Sequence, residues 1–294
     1  MPLRRHKDFS MNNYGVIGLG RMGSAIAQRV AQQGAPVVGW TRSGHPVEGV
    51  ETLPNLGALV ERANTLVLSL FDNAAVSEVL DALLALDLSG KQIIETSTVV
   101  PSILKTRVSR IEAAGATAVD APISGGPEMV LAGTCGVFIG GSDAAAKGAE
   151  EALHLISHHI FHVGPLGAGL VMKTINNGMI QTYVSGLADF MPLARRAGLP
   201  METAIKILAG GPAGSPFLNT RLPKVLGEDD TIGFTVAAAK KDQAAFSDIF
   251  ASFDLKSRML ERYGQLASEA IAEGLGEEDP AVMIPWAYGT RAPD

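Results

Sequence analysis

The chain has 294 residues, enough for two domains of ordinary size, and its 47% hydrophobic and 18% charged content argues against a disordered chain. Its 30 acidic and 24 basic side chains (net charge −6) are mixed along the sequence, without the basic arm or stripe that a nucleic-acid partner requires. No run of about 18 apolar residues occurs, so no membrane span is expected; the one cysteine, Cys135, allows no intramolecular disulfide, offers no zinc site and reads as a core residue.

Residues 1–12 are basic but lack the apolar stretch of a signal peptide, and they read as a loose extension. With the single thiol, this points to a cytoplasmic protein. Tyr14–Leu19 is a short apolar run ending in glycines, as in a buried parallel strand. A helical period follows over Met22–Gln33, stopped by Gly34 and Pro36, and Pro36–Trp40 is a second strand. Further strands are expected over Thr65–Leu70, Gln92–Ser97, 116–122 and 135–141, with helices over Val76–Leu86 and Ile103–Ala113. Strands alternating with helices of this length imply a doubly wound, Rossmann-type α/β sheet.

The alternation stops near Gly164. From Leu166 the period is helical to Ala197, with Pro192 expected to kink or break that helix. Helical patterns recur over Met201–Ala209, Pro216–Val225, Thr235–Phe250 and Ser252–Glu273. The expected division is an extension (1–12), a nucleotide-binding domain (13–165) and an all-α C-terminal domain (166–294).

Gly18-Leu19-Gly20-Arg21-Met22-Gly23 is a GxGxxG at the first strand–helix junction. Its glycines serve a tight turn, close approach of a pyrophosphate, and helix–strand packing, while the helix N-terminus faces the phosphates. A site selective for NAD carries an acid at the end of the second strand to hold the ribose hydroxyls. Here the residues are Thr41-Arg42-Ser43, with no carboxylate. Arg42 suits the 2′-phosphate of NADP, helped by the two hydroxyls, so NADP is expected over NAD.

Lys173 and Asn177 share one face of the long helix, with Gly169 a turn earlier, expected to leave room for cofactor or substrate, and Gln181 a turn later. A lysine beside a bound carbonyl donates a proton to oxygen as hydride reaches carbon, and Asn177 would orient the lysine or the substrate.

These segments resemble the β-hydroxyacid dehydrogenase family, which includes 3-hydroxyisobutyrate dehydrogenase and semialdehyde reductases. Four elements carry the likeness in order: the glycine turn; Asp120-Ala121-Pro122-Ile123-Ser124-Gly125-Gly126; residues 164–169 with Lys173 and Asn177; and Lys241-Asp242. The resemblance implies Lys173 as general acid in reduction and base in oxidation. It implies Ser124, Gly125, Gly126 and Asn177 as substrate contacts, and Leu70, Phe71, Thr98 and Lys241 as cofactor contacts beside Gly18–Gly23 and Thr41–Ser43. It also implies a homodimer or homotetramer joined through the helical domain. Burial and the nicotinamide cation are expected to lower the Lys173 pKa.

The chain departs from the family at Thr41, Asp189, Gln243 and Pro192, and in its tail, residues 280–294. A 6-phosphogluconate-type decarboxylase would carry histidine and glutamate where this chain has Asn176 and Ile180. Imine reductases generally lack the lysine kept here, although the aromatic tail suits a less polar substrate. A non-catalytic NADP-binding module is the reading from a different class.

Overall fold

The structure is a computed structural model that describes residues 13–290; the extension expected over 1–12 lies outside the described residues. The chain forms two compact units that divide between Lys173 and Thr174.

In the first unit, strands β1 (Tyr14–Ile17), β2 (Val37–Trp40) and β3 (Glu51–Thr52) are interleaved with helices α1 (Arg21–Gln32) and α2 (Leu56–Arg62). Then come β4 (Thr65–Leu68), α3 (Asn73–Leu83), β5 (Gln92–Glu95), α4 (Ser102–Lys105), α5 (Val108–Ala113) and β6 (Thr117–Asp120). The unit continues with β7 (Ile123–Ser124), α6 (Pro127–Ala132), β8 (Gly136–Gly140), α7 (Asp143–Leu153) and β9 (His159–Gly164). The strand order is β3-β2-β1-β4-β5-β6-β8-β7, with β9 paired to β8. Its first six strands are parallel and follow the doubly wound order 3-2-1-4-5-6; β8 then pairs antiparallel with β6 and β7. The expected parallel sheet therefore holds for six strands and reverses at β8.

Val16, Val67, Ile94 and Val119 stand in register across four strands and share one core cluster with Ile26 and Val30 of α1 and Ala149 and Leu153 of α7. Each fully buried aliphatic side chain here contributes about 1.5–3 kcal/mol. Cys135 lies in the same cluster, as expected, and burial pushes its thiol up.

Several expected boundaries move for identifiable reasons. β1, β4 and β5 each end two residues before the apolar run does, because Gly18-Leu19, Ser69-Leu70 and Thr96-Ser97 leave the sheet at its C-terminal edge. The single helix expected over Ile103–Ala113 is split into α4 and α5. The Ile103 carbonyl is taken by the Thr106 hydroxyl and the Arg107 guanidinium, so the Arg107 N–H turns to Leu104 and tightens the chain.

The second unit is all-helical. α8 (Ala168–Arg196) enters it at Thr174, followed by α9 (Met201–Gly210), α10 (Pro216–Val225), α11 (Val236–Ala251), α12 (Arg258–Ala272) and α13 (Met283–Thr290). Of the kink or break expected at Pro192, the break does not occur: α8 runs through it. One backbone hydrogen bond is lost there, but Leu187, Met191 and Ala194 on the same helix are buried in one cluster with Ile205, Leu218 and Ile284, which holds the segment in place. The helix expected from Ser252 begins at Arg258, since Asp254 adopts a left-handed conformation (φ 58°) after α11 ends. The atypical tail forms α13: Met283, Ile284 and Ala287 are buried, and the Arg195 guanidinium binds the Gly289 carbonyl. Asp189, another departure, pairs with Arg262 of α12.

Candidate active site

The glycine turn has three different environments. Gly18 has φ +96°, and an added Cβ would lie 2.3 Å from the Ser69 carbonyl oxygen, so a side chain is excluded on both counts. At Gly23 a Cβ would lie 1.8 Å from the Gly18 oxygen, which is how α1 packs against the turn. At Gly20 it would meet nothing within 4 Å. Gly20 is also the N-cap of α1 and offers no side-chain cap, and the first turn carries no acid. The helix thus presents its N-terminal N–H groups beside open space, a local chemistry that fits a diphosphate.

Thr41–Gly44 turns back on itself through a Gly44 N–H to Thr41 carbonyl bond of 3.1 Å. Arg42 is exposed, and its guanidinium lies 3.7 Å from the Glu78 carboxylate on α3, also exposed. Ser43 is exposed and Thr41 half-buried. In the next loop Leu70 is half-buried and Phe71 is 71% exposed, while Asp72 caps α3. This loop is tied to the one after β5: the Leu70 N–H donates to Ser97 Oγ at 2.8 Å and the Val100 N–H to Asn73 Oδ1 at 3.1 Å. Thr98 is buried beside that connection.

Two acids that the sequence did not single out as site residues end the neighbouring strands. Glu95 and Asp120 are register partners on β5 and β6 and are almost completely buried. Burial pushes the Glu95 carboxyl up to about 7 and the Asp120 carboxyl up to about 6. Asp120 accepts the N–H groups of Gly167 and Leu170, at the start of α8. An acid closing an apolar strand (QIIE, TAVD) is the sequence signal that marks both.

Ser124, Gly125 and Gly126 follow β6. Ser124 pairs with Gly136 in the sheet, Gly125 has φ +133°, and Gly126 is the N-cap of α6 with Pro127 at its first position. Lys173 is 8% exposed on α8, a turn beyond the Asp120 anchor. Gly169 serves a different purpose from the one expected: a Cβ there would lie 2.1 Å from the Phe138 carbonyl oxygen and 2.8 Å from Asp120 Oδ2. It lets the helix close onto the sheet, and the side-chain position is filled by protein atoms.

In the second unit, Asn177 is half-buried and its Oδ1 accepts from Asn176 Nδ2 at 3.0 Å. Gln181 and Ser185 continue the same helix face and are buried, with Gln181 Nε2 donating to the Ala239 carbonyl at 3.1 Å. Lys241, half-buried on α11, lies 3.7 Å from the Asp242 carboxylate. Among the described residues no cluster of three His, Cys, Asp or Glu could hold a metal ion, and no helix is long and apolar enough to cross a membrane.

A family model described as the NAD binding domain of 6-phosphogluconate dehydrogenase matches residues 13–164, and one described as NAD-binding of NADP-dependent 3-hydroxyisobutyrate dehydrogenase matches residues 167–287. The chain belongs to the β-hydroxyacid dehydrogenase family. It is similar to the 2-(hydroxymethyl)glutarate dehydrogenase of Eubacterium barkeri, at 27% identity over 92% of this chain and 93% of that one. Among solved structures it resembles a Mycobacterium tuberculosis 3-hydroxyisobutyrate dehydrogenase with L-serine (TM-score 0.84, 21% identity, 94% of this chain and 99% of that one). The fold likeness extends to an imine reductase from Pseudomonas sp. (TM-score 0.59, 20% identity, 93% and 98%). As a member of the family, the chain is an NAD(P)-dependent oxidoreductase acting on hydroxyl groups.

Proposed function

We propose that the protein interconverts a small semialdehyde and its 3-hydroxy acid with NADP, using Lys173 as the general acid and base. The observation that carries this reading is Lys173 itself, a buried lysine on the helix that Asp120 anchors to the cofactor-type sheet. When bound, the dinucleotide supplies hydride in reduction and accepts it in oxidation. Gly18–Gly23 hold its diphosphate, Thr41, Arg42 and Ser43 its 2′-phosphate, and Leu70, Phe71, Thr98 and Lys241 further parts of it. Ser124, Gly125, Gly126 and Asn177 hold the substrate. Lys173 gives a proton to the carbonyl oxygen in reduction and removes it from the hydroxyl in oxidation.

The relatives support a hydroxy-acid substrate: one is named for 2-(hydroxymethyl)glutarate, and the L-serine found with another is itself a 3-hydroxy acid. We assign residues 13–165 to the cofactor domain and 166–294 to a helical domain through which a homodimer or homotetramer forms in the cytoplasm. Ile175, Met179, Phe190 and Leu193 of α8 are exposed apolar side chains that suit such an interface.

The deciding experiment is oxidation of NADPH, and separately NADH, with a panel of short semialdehydes and cyclic imines. Turnover of a semialdehyde with NADPH preferred supports the proposal. Turnover of imines alone replaces it with imine reduction, and tight NADPH binding without turnover replaces it with a non-catalytic module. Light scattering of the same protein tests the oligomer.

A further inference from the structure

We propose that Glu95 is a positioning residue for the dinucleotide: its buried carboxyl holds the Ser97 amide, and the Ser97 hydroxyl so placed fixes the Leu70 amide and the β4–α3 loop. The proposal rests on the dinucleotide reading above and assigns a role to a side chain that reading leaves out.

Glu95 closes the strand Gln-Ile-Ile-Glu, whose two isoleucines are fully buried, and it is 0% exposed itself. An acid in such a place is costly to bury, and an apolar residue would fill the strand end more cheaply. Among the described residues no basic side chain forms an ion pair with it. Its neighbours are instead Asp120, its register partner on β6, and the loop that follows β5. Lys105 of α4 acts on Asp120.

The connection to the loop is specific. Glu95 Oε1 accepts the Ser97 N–H at 2.5 Å, while Oε2 is buried with no hydrogen-bond partner among the described residues. Ser97 Oγ in turn accepts the Leu70 N–H at 2.8 Å. A serine hydroxyl has one proton to give and lone pairs to receive. Here a lone pair receives the Leu70 amide, and the Ser97 backbone that carries the hydroxyl is held by Glu95. Without the acid the Ser97 N–H loses its anchor and the Leu70 amide its fixed acceptor. The same two loops are joined again by Val100 and Asn73, and Thr96 binds the Leu68 carbonyl with both its N–H and its hydroxyl. The Glu95–Ser97–Leu70 chain is therefore the link that lies closest to Leu70 and Phe71.

The test is a fluorescence titration of the full-length protein with NADPH, for wild type, Ser97→Ala, Glu95→Leu, Glu95→Gln and the Ser97→Ala/Glu95→Leu double variant. Loss of one hydrogen bond's net contribution corresponds to about fivefold to tenfold weaker binding in each of Ser97→Ala and Glu95→Leu. The double variant should be no weaker than the worse single one, because both cut the same chain. Glu95→Gln keeps an acceptor oxygen for Ser97 and should bind NADPH within about twofold of wild type. The kcat at saturating cofactor should move by less than about twofold throughout, a split that general loosening of the fold would not produce. Ser97→Ala with unchanged affinity overturns the proposal, even if Glu95→Leu fails to fold. So do additive losses in the double variant, or a Glu95→Gln protein as weak as Glu95→Leu. A wild type that binds neither NADPH nor NADH refutes the dinucleotide reading itself and this proposal with it.

Discussion

Asp120 Oδ2 accepts the Leu170 N–H at 2.8 Å, and its other oxygen accepts the Gly167 N–H, so the last residue of β6 caps the first turn of α8. A carboxylate at a helix N-terminus interacts favourably with the unpaired N–H groups and the helix dipole. Two glycines make the space: a Cβ on Gly140 would lie 2.3 Å from Asp120 Oδ1 and one on Gly169 2.8 Å from Oδ2. Lys173 is thereby fixed with respect to the sheet.

A contrast between two glycine variants follows. Gly169→Ala forces a methyl group onto the Phe138 carbonyl and the Asp120 carboxylate, and we expect a loss of about 3 kcal/mol in urea denaturation. Gly20→Ala places its methyl group in open space, so stability should stay within about 0.5 kcal/mol while NADPH affinity falls at least about tenfold. Equal stability of the two variants would contradict the packing assigned to Gly169. Unchanged affinity in Gly20→Ala would contradict a diphosphate over that turn.

The buried acids also set a pH dependence. Glu95 is raised from about 4.5 to about 7 and Asp120 from about 3.8 to about 6, in each case mainly by burial. Between these values the folded state holds more protons than the unfolded one, so stability falls as pH rises from about 5 to about 8. For a coupled pair the total change is on the order of 3 kcal/mol. Surface carboxylates such as Asp81 and Asp229 are lowered by their partners and act in the opposite sense, but only in more acidic solution. Urea midpoints measured across pH 5–8 should decline for wild type and flatten in Glu95→Gln. A midpoint that climbs with pH would show that the two acids ionise normally.

The glycine turn and the alternation of strands and helices were legible in the sequence because both are local. A glycine at positive φ, or a strand buried on both faces, leaves a mark in its own few residues. The purpose of Gly169 was not local. It depends on Phe138 and Asp120, which are distant in sequence, so a glycine beside the lysine read as room for a ligand when it is a packing contact. Pro192 does not end its helix, since tertiary burial around Met191 outweighs one lost hydrogen bond. The strand ends were overextended because the loops leaving the sheet at Leu19 and Ser97 are buried and resemble strand in composition.

Arg42 and Glu78 lie 3.7 Å apart on the surface, and on the proposed reading they would make cofactor preference a balance. A 2′-phosphate held there as proposed would compete with the Glu78 carboxylate for one guanidinium, and solvent screening keeps the existing pair weak. Arg42→Ala should weaken NADPH by about tenfold and leave NADH within twofold, whereas Glu78→Gln should tighten NADPH by a few fold. The measurement is the ratio of kcat/KM for the two cofactors in each variant. If the ratio is unmoved in Arg42→Ala, selection lies elsewhere than in the Thr41–Ser43 turn.

In the function proposed above, Lys173 is the residue on which the chemistry depends. Replacing it with methionine retains the length and apolar stem of a side chain that is only 8% exposed, so folding and cofactor binding should survive. What is lost is the proton donor, and general acid–base contributions of this kind are typically worth about 100-fold to 10,000-fold. We expect kcat of Lys173→Met to fall by that amount, with NADPH affinity within about twofold of wild type. A wild-type pH profile of kcat should contain a limb that is missing from the residual activity of the variant. A variant that retains more than a tenth of wild-type kcat would remove Lys173 from the proton transfer and return attention to the polar face formed by Asn177 and Gln181.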